Sequence, residues 1–509
     1  MMKKIKAIIV IVTLLFICAL SNAQVKPNVI FSDNMVLQRN VVVPVWGTAK
    51  DGETVIVEFA GQKQRSIAKD GKWMVKLNPL KEGGPFSMTI KSINAITIKN
   101  ILVGEVWICS GQSNMERQLG PRSGQPLIDN WLSEAADGVN YPNMREFAVA
   151  HIPATSPISE VKAKWIVCDS VTVKNFSAVG YFFGRVLYKK LNIPIGLIHT
   201  SWGGTAAEKW TSRETLEAYP ELKPIVEAYD KALKNYPDTL QKYMANEKQL
   251  FANWVADTLI AKQNNKPFPR KPSPPINPEK SGDCGGLYNG MIAPLMTYAF
   301  KGVIWYQGEA NSGRAKQYRT LFPAMITDWR SKWQQGNFPF LFVQLAPQQG
   351  NTPDLREAQM MTMQKTPNTA MVVTTDCVDS TFNLHPSKKR PVGERLALAA
   401  MALAYGEKIE YSGPIYQSLK IEGNKIILSF THAGSGLLAK DGELKGFTIA
   451  GSNKKLVPAK AEIKGNTIIV FADEVANPVA VRFGFINKAV TNLYNREGLP
   501  ASPFRTDVE

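Results

Sequence analysis

The chain has few cysteines and few histidines for its length. Its 509 residues include 5 cysteines and 4 histidines. The cysteines beyond the N-terminus lack zinc-finger spacing and are too few for a disulfide scaffold: Cys109, Cys168, Cys284 and Cys377. We therefore predict no metal site, and no motif indicates a cofactor. Any reaction that needs an imidazole base must use one of four histidines.

Long apolar runs are also absent after the first two dozen residues. No later stretch reaches the roughly 18 to 20 continuous apolar residues that cross a bilayer, so we expect no membrane span. At the N-terminus, three lysines precede an apolar run over residues 8–20 and the small-residue sequence Ser21-Asn22-Ala23. This pattern is typical of a secretory signal peptide over residues 1–23 and predicts an exported protein, periplasmic or secreted.

Basic residues outnumber acidic ones, but they are not clustered. The net charge is +17, and the sequence shows no arginine-rich helix and no aromatic RNA-binding motif. We therefore predict no nucleic-acid partner. The spread charge favours an acidic ligand only weakly and mostly forms a solvated surface. Nothing in the sequence indicates an oligomeric state.

The hydrophobic period divides the chain into three parts. Residues 24–100 alternate with period two between turn signals such as Asp51-Gly52, which predicts an N-terminal β-sandwich. The same pattern returns over residues 407–509, with hairpin turns at Gly423-Asn424 and Gly465-Asn466, and predicts a C-terminal β-domain. Neither end carries a residue set that looks catalytic.

Residues 101–406 instead alternate apolar runs with helical stretches, which indicates an α/β domain with a mostly parallel sheet covered on both faces. The predicted strands are 106–109, 195–199, 303–306, 340–345 and 371–375. The predicted helices are 179–191, 318–333, 355–365 and 392–405. Functional loops of such a sheet lie at the carboxyl ends of its strands.

One segment, about 211–280, does not follow this alternation. It is charged and helical, begins with a possible capping box between Thr211 and Glu214, and runs into a proline-rich connector over residues 267–278. We interpret it as an insertion, either a lid over the site or a peripheral helical hairpin.

The stretch 105–118, EVWICSGQSNMERQ, presents Ser113 between two amides, Gln112 and Asn114, directly after an apolar strand. A small nucleophile after a strand and a glycine turn is how open α/β sheets expose a reactive hydroxyl. Ser113 is therefore the candidate nucleophile. The alternative is an ordinary serine in a polar loop or at a helix N-cap.

A serine nucleophile needs a base. His151 and His432 lie in strand-like contexts, and His199 ends an apolar run. His385 lies in a loop between a predicted strand and a helix, where such sheets place their chemistry, so it is the preferred base over His199.

An oxyanion intermediate needs hydrogen-bond donors. The backbone N–H of Ser113 is one candidate, and Gly203 or Gly204 supplies another. The loop 307–311 adds the amides Gln307 and Asn311 and the carboxylate Glu309, which either partners the base or shapes the loop.

Four motifs carry a resemblance when taken together. In chain order they are GEVWICSGQSNM, HTSWGGT, GVIWYQGEAN and LHPSKKRPVGERLA, and they span residues 104 to about 400. They resemble the sialate O-acetylesterase family, a branch of the SGNH-type serine hydrolases. The resemblance implies a flavodoxin-like three-layer SGNH hydrolase domain with flanking β-sandwich domains. It implies removal of acetyl groups from sugar hydroxyls through an acyl-serine.

By this resemblance Ser113 is the nucleophile and His385 the general base, then the general acid. Gly204 and a residue of the loop 307–311 would line the oxyanion hole. Many SGNH hydrolases carry Asp three residues before the histidine, but this sequence has Phe382 there.

The third member of the triad is therefore open among Asp379, Asp376, Glu309 and a backbone carbonyl, and Asp379 is favoured. Arg117, four residues after the nucleophile, could pair with a sugar carboxylate or be a surface charge.

The sequence thus predicts an exported carbohydrate O-acetylesterase that acts on an O-acetylated glycan or sugar. The resemblance implies O-acetylated sialic acid as the favoured substrate, because sialic acid esters are the substrates that name the family, and the basic balance suits a carboxylated sugar. Acetylated xylan or another plant glycan is the alternative substrate. A carbohydrate-binding cell-surface protein with an inactive central domain is the alternative of another class.

Overall fold

The computed structural model describes residues 24–380 and 382–507. The predicted signal peptide, residues 1–23, lies outside the described residues. The chain forms a mixed α/β structure in which a large mixed sheet is accompanied by additional β-sheets. The α/β class predicted from the sequence is confirmed at this level.

The N-terminal part consists of short strands in two sheets. Its strands are β1 (Lys26–Pro27), β2 (Val36–Gln38), β3 (Val43–Thr48), β4 (Thr54–Phe59), β5 (Gln62–Ile67), β6 (Lys72–Leu77) and β7 (Gly83–Lys91). One sheet has the order β1-β3-β6, and in the other β4 pairs with β5 and β7. The alternation in β6 buries Trp73, Val75 and Leu77 and exposes the residues between them, as period two requires.

One long strand, β8 (Ala95–Gly111), joins this part to the centre of the protein. Its first half pairs antiparallel with β7, its middle pairs parallel with β2, and residues from Glu105 onward pair with central strands. The boundary predicted at residues 100 and 101 therefore falls inside a continuous strand. A single hydrophobic core extends over both parts, so β8 sets the position of the N-terminal sheet relative to the candidate site at its other end.

The central sheet continues from β8 with six further strands. They are β9 (Met144–Ala148), β10 (Trp165–Val167), β11 (Ile195–Ser201), β12 (Gly302–Tyr306), β13 (Phe340–Val343) and β14 (Thr369–Val372). Their order is β10-β9-β11-β8-β12-β13-β14, and only the pair β10 and β9 is antiparallel. All five strands predicted for this region are present, and the strands β9 and β10, which lie beyond β11 at one end of the sheet, were not predicted.

Helices cover both faces of the central sheet. The α-helices are Ser113–Glu116, Trp131–Asp137, Ala178–Leu191, Arg213–Ala218, Lys223–Gln263, Pro278–Ser281, Ala315–Trp333, Pro353–Lys365 and Arg390–Tyr405. Short 3-10 helices are Gly138–Asn140, Thr172–Asn175, Ala207–Trp210, Ala293–Leu295 and Glu309–Arg314, and Tyr288–Ile292 is a π-helix.

Two tryptophans show which helix lies on which face. Trp107 of β8 is opposite Gly302 of β12, so Trp305, three residues further, points to the other face. Trp107 packs edge-on against Phe183 of the helix Ala178–Leu191, with ring centroids 5.0 Å apart. Trp305 packs against Trp329 of the helix Ala315–Trp333, with centroids 5.9 Å apart. The sheet is therefore the middle layer between two helical layers.

The insertion consists of a long exposed helix and an extended return. The helix Lys223–Gln263 buries only Val226 and Ala261. The indole of Trp254 donates to the Pro269 carbonyl at 3.0 Å, so the proline-rich chain runs back along the helix. The predicted capping box is wrong by one position, because the Ser212 side chain accepts from the Thr215 N–H.

The C-terminal part follows the helix Arg390–Tyr405, which ends at Gly406 with φ 73°. Its strands are β15 (Ile415–Glu422), β16 (Lys425–Thr431), β17 (Leu437–Ala439), β18 (Phe447–Gly451), β19 (Leu456–Pro458), β20 (Lys460–Lys464), β21 (Thr467–Phe471), β22 (Pro478–Phe483), β23 (Leu493–Asn495) and β24 (Phe504–Arg505). Both predicted hairpins are present, β15 with β16 and β20 with β21. These strands surround a hydrophobic core of their own.

Within residues 24–380 and 382–507, no helix combines the length and the apolar character needed to cross a membrane. The four described cysteines are free and buried.

Candidate active site

Ser113 lies just beyond the carboxyl end of β8. Gly111 ends this strand with φ 134°, and a Cβ there would lie 2.2 Å from the Tyr306 carbonyl oxygen. Only glycine permits this close approach of the two strands, which lets the chain turn into the helix Ser113–Glu116. The Ser113 side chain thus opens a helical turn at the edge of the sheet, and the residue is 8% exposed.

His385 is the histidine that contacts Ser113. Its Nε2 lies 2.9 Å from the Ser113 Oγ. The ring is half-buried in the loop between β14 and the helix Arg390–Tyr405. Burial lowers the pKa of His385, and the positive charges of Lys389, Arg117 and Arg122 lower it further. The imidazole is therefore neutral near pH 7, which is the form that accepts a proton.

His199, the other candidate base, pairs with a different serine. Its Nε2 lies 2.5 Å from the Ser201 Oγ and its Nδ1 3.5 Å from Glu146 Oε1. Burial lowers the pKa of His199 to about 4. This buried Ser201–His199–Glu146 group follows the neighbouring strand β11 and does not include Ser113.

The three acidic candidates for the triad all have other partners. Asp379 Oδ2 accepts the Ser387 N–H at 2.7 Å, and Asp376 forms an ion pair with Arg395 at 2.6 Å. Glu309 Oε1 accepts the Asn114 side-chain amide at 2.6 Å. Across residues 24–380 and 382–507, no carboxylate oxygen lies within hydrogen-bond distance of His385 Nδ1.

The two glycines after β11 differ in their hydrogen bonds. Gly203 lies against the nucleophile, since a Cβ there would be 3.2 Å from the Ser113 Cβ, and its N–H donates to Glu116 Oε2 at 2.6 Å. The N–H of Gly204, at φ 73°, has no acceptor among the described residues. The Ser113 N–H begins a helix and has no intrahelical acceptor. Ser113 and Gly204 thus supply free backbone donors.

The predicted amides hold the neighbouring loops together. Gln112 Oε1 accepts the N–H groups of Gly308 and Ala310 at 3.3 and 3.4 Å. The Gln307 amide donates to the Asn311 side chain at 2.7 Å, and Asn311 donates to Glu208 at 2.9 Å. Gln307 and Asn311 are fully buried and join the loop after β12 to the loop after β11.

The two arginines after the nucleophile have different roles. Arg117 is 1% exposed, and its guanidinium donates to the carbonyls of Gln118, Gly120 and Pro126. It therefore holds the loop 118–126 and does not face solvent. Arg122, which the sequence did not single out, is 38% exposed and contacts Glu116 Oε1 at 3.2 Å.

Two further residues beside the nucleophile, Asn114 and Lys389, had no predicted role. The Lys389 ammonium donates to Asn114 Oδ1, and the Asn114 amide donates to Glu309 and to the Leu384 carbonyl. Burial lowers the pKa of Lys389 to about 7. In the sequence, the pair Lys388-Lys389 indicates a charged surface segment, and no hydrophobic periodicity predicts that the second lysine is buried.

Comparison with known proteins identifies a family whose model matches the region that contains this site. The family model described as "Carbohydrate esterase, sialic acid-specific acetylesterase" matches residues 103–248 and 279–402. The matched region includes Ser113 and His385. The unmatched residues between the two segments are the C-terminal end of the long exposed helix and the proline-rich return.

Curated relatives and a solved structure agree with this match. A sialate O-acetylesterase from Mus musculus is 33% identical over 460 residues, which cover 79% of this chain and 78% of the relative. One from Homo sapiens is 31% identical over 446 residues, which cover 79% and 75%.

The structure of a carbohydrate acetylesterase from Xanthomonas citri is 32% identical with a TM-score of 0.78, and the match covers 96% of this chain and all of that one. The protein is an esterase, and its chain belongs to the carbohydrate esterase family of sialic acid-specific acetylesterases.

Proposed function

We propose that the protein hydrolyses acetyl esters on sugars through an acyl-enzyme formed at Ser113. The observation that carries this proposal is the 2.9 Å contact between the Ser113 Oγ and His385 Nε2 at the carboxyl edge of the central sheet. His385 takes the Ser113 proton as the Oγ attacks the acetyl carbonyl carbon. The bond from this carbon to the sugar oxygen then breaks, and His385 returns the proton to that oxygen.

The second half of the reaction uses water. His385 takes a proton from the water, the hydroxyl oxygen attacks the acetyl-Ser113 carbonyl, and acetate leaves as Ser113 regains its proton. In both halves a negative oxygen forms beside Ser113. We assign the free N–H groups of Ser113 and Gly204 as the donors to this oxygen, and one such donor is typically worth about 2.7 to 4 kcal/mol.

We further assign the central domain to the SGNH type with a flavodoxin-like sheet. The support is the order of five neighbouring parallel strands, β11-β8-β12-β13-β14. Counted along the chain without β9 and β10, this order is 2-1-3-4-5, which is the flavodoxin order. Ser113, Gly204 and Gln307 follow β8, β11 and β12, so the ligand edge of such a sheet is where the candidate site lies. The flanking sheets at both termini correspond to the β-sandwich domains of this proposal.

O-acetylated sialic acid is the substrate that we favour. The family description and the names of the mammalian relatives support it. Arg122 adds a physical reason, because its half-exposed guanidinium lies near enough to lower the pKa of His385. Such a cation can pair with the carboxylate of an acidic sugar.

Neutral glycans such as acetylated xylan are the second candidate. The Xanthomonas citri relative, which matches nearly the whole chain, is named only as a carbohydrate acetylesterase.

The test compares acetate release from O-acetylated sialic acid, acetylated xylan and acetylated pectin by one preparation of purified protein. We expect release from at least one substrate, and fastest from the sialic acid ester. Faster acetate release from acetylated xylan would show that a neutral glycan is the preferred substrate. Release from none, together with binding to an acetylated glycan, would replace the enzyme by a carbohydrate-binding protein.

Substitution of Arg122 tests more directly whether the site recognises the carboxylate of an acidic sugar. Arg122→Gln is expected to raise KM for O-acetylated sialic acid roughly 10-fold, because one ion pair of about 1 to 2 kcal/mol is lost. KM for acetylated xylan is expected to stay unchanged. The matched control is Arg270→Gln, an exposed arginine on the proline-rich return. Equal changes for both substrates would remove Arg122 from carboxylate recognition.

A further inference from the structure

A lysine and a glutamate are buried directly behind the nucleophile, on either side of the Asn114 side chain. Lys389 is 1% exposed, and its ammonium donates to Asn114 Oδ1 and lies 5.5 Å from the centre of the Tyr306 ring. Glu309 accepts the Asn114 amide at 2.6 Å, and its other carboxylate oxygen is buried without a partner. The two charges interact through this amide.

Asn114 also connects the nucleophile to the base. It follows Ser113 in the chain, and its amide donates at 3.1 Å to the carbonyl of Leu384, the residue before His385. Within the loop, the His385 N–H donates to the Asn383 side chain at 2.9 Å. The Asn114 amide therefore joins the His385 loop to the Ser113 turn, in addition to the contact between Ser113 and His385 themselves.

Burying a charged lysine destabilises the fold unless another group stabilises its charge. The desolvation of a buried ion costs several kcal/mol, and a partner must offset it. The Lys389 ammonium contacts the Asn114 amide oxygen, and the Glu309 carboxylate lies on the other side of that amide. A hydrophobic residue of similar size would fill the same space without the desolvation cost. Charged groups held at such a cost cluster at functional sites.

We propose that Lys389 and Asn114 are positioning residues for ester hydrolysis. The Lys389 ammonium fixes the orientation of the Asn114 amide, which holds His385 on Ser113, and its positive charge favours the neutral, proton-accepting form of His385. This inference rests on the proposed function, because it requires the Ser113 and His385 pair to be the catalytic one.

The charges around both groups define the expected pH effect. Glu309, Cys377, Arg117 and Asp379 face Lys389, and Lys389, Arg117, Arg122 and Glu116 face His385. The pKa of Lys389 is about 7 and that of His385 lies below its ordinary 6.5, so Lys389 carries its proton where His385 titrates. Removing this cation raises the pKa of His385, and activity is then lost at a higher pH as the solution is acidified.

The experiment measures kcat and kcat/KM for an aryl acetate against pH, with thermal unfolding of each variant. Lys389→Met is expected to lower kcat roughly 10- to 100-fold and to move the acidic limb of kcat/KM upward by about one pH unit. Lys389→Arg keeps the charge and is expected to keep the wild-type limb. The matched control is Lys388→Met, which removes the neighbouring charge and should leave both measurements unchanged.

Asn114→Ala keeps the proposal testable if Lys389→Met does not fold. It is expected to lower kcat about 10-fold while KM changes little, because the base is less well placed. Wild-type kcat in Asn114→Ala, or a Lys389→Met enzyme with only a lower unfolding temperature, would overturn the proposal. Ser113→Ala, measured in the same series, distinguishes a failure of this proposal from a failure of the proposed function. An active Ser113→Ala enzyme would refute the proposed function.

Discussion

Ser113→Ala is expected to lower kcat/KM for an aryl acetate by roughly 1,000-fold or more, because no covalent intermediate can form without the hydroxyl. The loss should appear in kcat and not in KM, since the methyl group leaves the pocket intact. The measurement is initial-rate kinetics near pH 7, with the unfolding temperature of the variant as a check on folding.

The matched control is Ser418→Ala, an exposed serine in β15 of the C-terminal part. It is expected to retain wild-type kcat. A rate for Ser113→Ala within about 10-fold of wild type would move the nucleophile elsewhere. Ser201, which His199 contacts at 2.5 Å, would then be the first serine to replace.

His385→Gln is expected to cause a loss of similar size, roughly 1,000-fold in kcat, because the Ser113 proton then has no acceptor. The kcat of the double variant with Ser113→Ala should lie within about 10-fold of the kcat of either single variant, since the two groups act as a unit. Additive losses in the double variant would show that the two side chains act independently.

The same histidine sets the acidic limb of the wild-type pH profile. The base is active when neutral, and the pKa of His385 lies below 6.5 because of burial and nearby cations. Activity is therefore expected to persist at pH 6.5 and to fall only as the pH drops through this lowered pKa. An acidic limb well above pH 7 would contradict this assignment of the base.

Much of the central sheet could be predicted because its strands are continuous apolar runs. The four strands β11 to β14 and the part of β8 from Ile101 onward are buried on both faces, and each is followed by a helix or a polar loop. Since parallel strands end at one edge, the sequence also predicted that Ser113, Gly204 and Gln307 lie near each other.

The strands β9 and β10 could not be predicted in the same way. β9 is the short sequence MREFA, in which Arg145 and Glu146 are buried and paired with other parts of the fold. Its pattern is neither continuously apolar nor alternating. The boundary predicted at residues 100 and 101 lies inside β8, because the hydrophobic period changes there without a break in the strand.

The site residues that sequence reasoning missed are charges whose burial depends on tertiary packing. Lys389 looks like a surface residue but is almost completely buried, whereas the Arg122 side chain is 38% exposed. Arg117, which the sequence analysis did name, is also almost completely buried. Glu116 was missed because its partner, the Gly203 N–H, is 87 residues away in the chain. Sequence spacing identifies the residue types of a site, and only the packed loops determine which polar groups are free to act.

The most direct test of the central claim is to identify which serine a fluorophosphonate modifies. The reagent labels serines that an adjacent base activates, and tryptic mass spectrometry locates the adduct. We predict one adduct per chain, on Ser113, formed in proportion to the loss of esterase activity and absent from His385→Gln. Complete inactivation with the adduct on Ser201 or any other serine, or full activity with Ser113 labelled, would contradict the account.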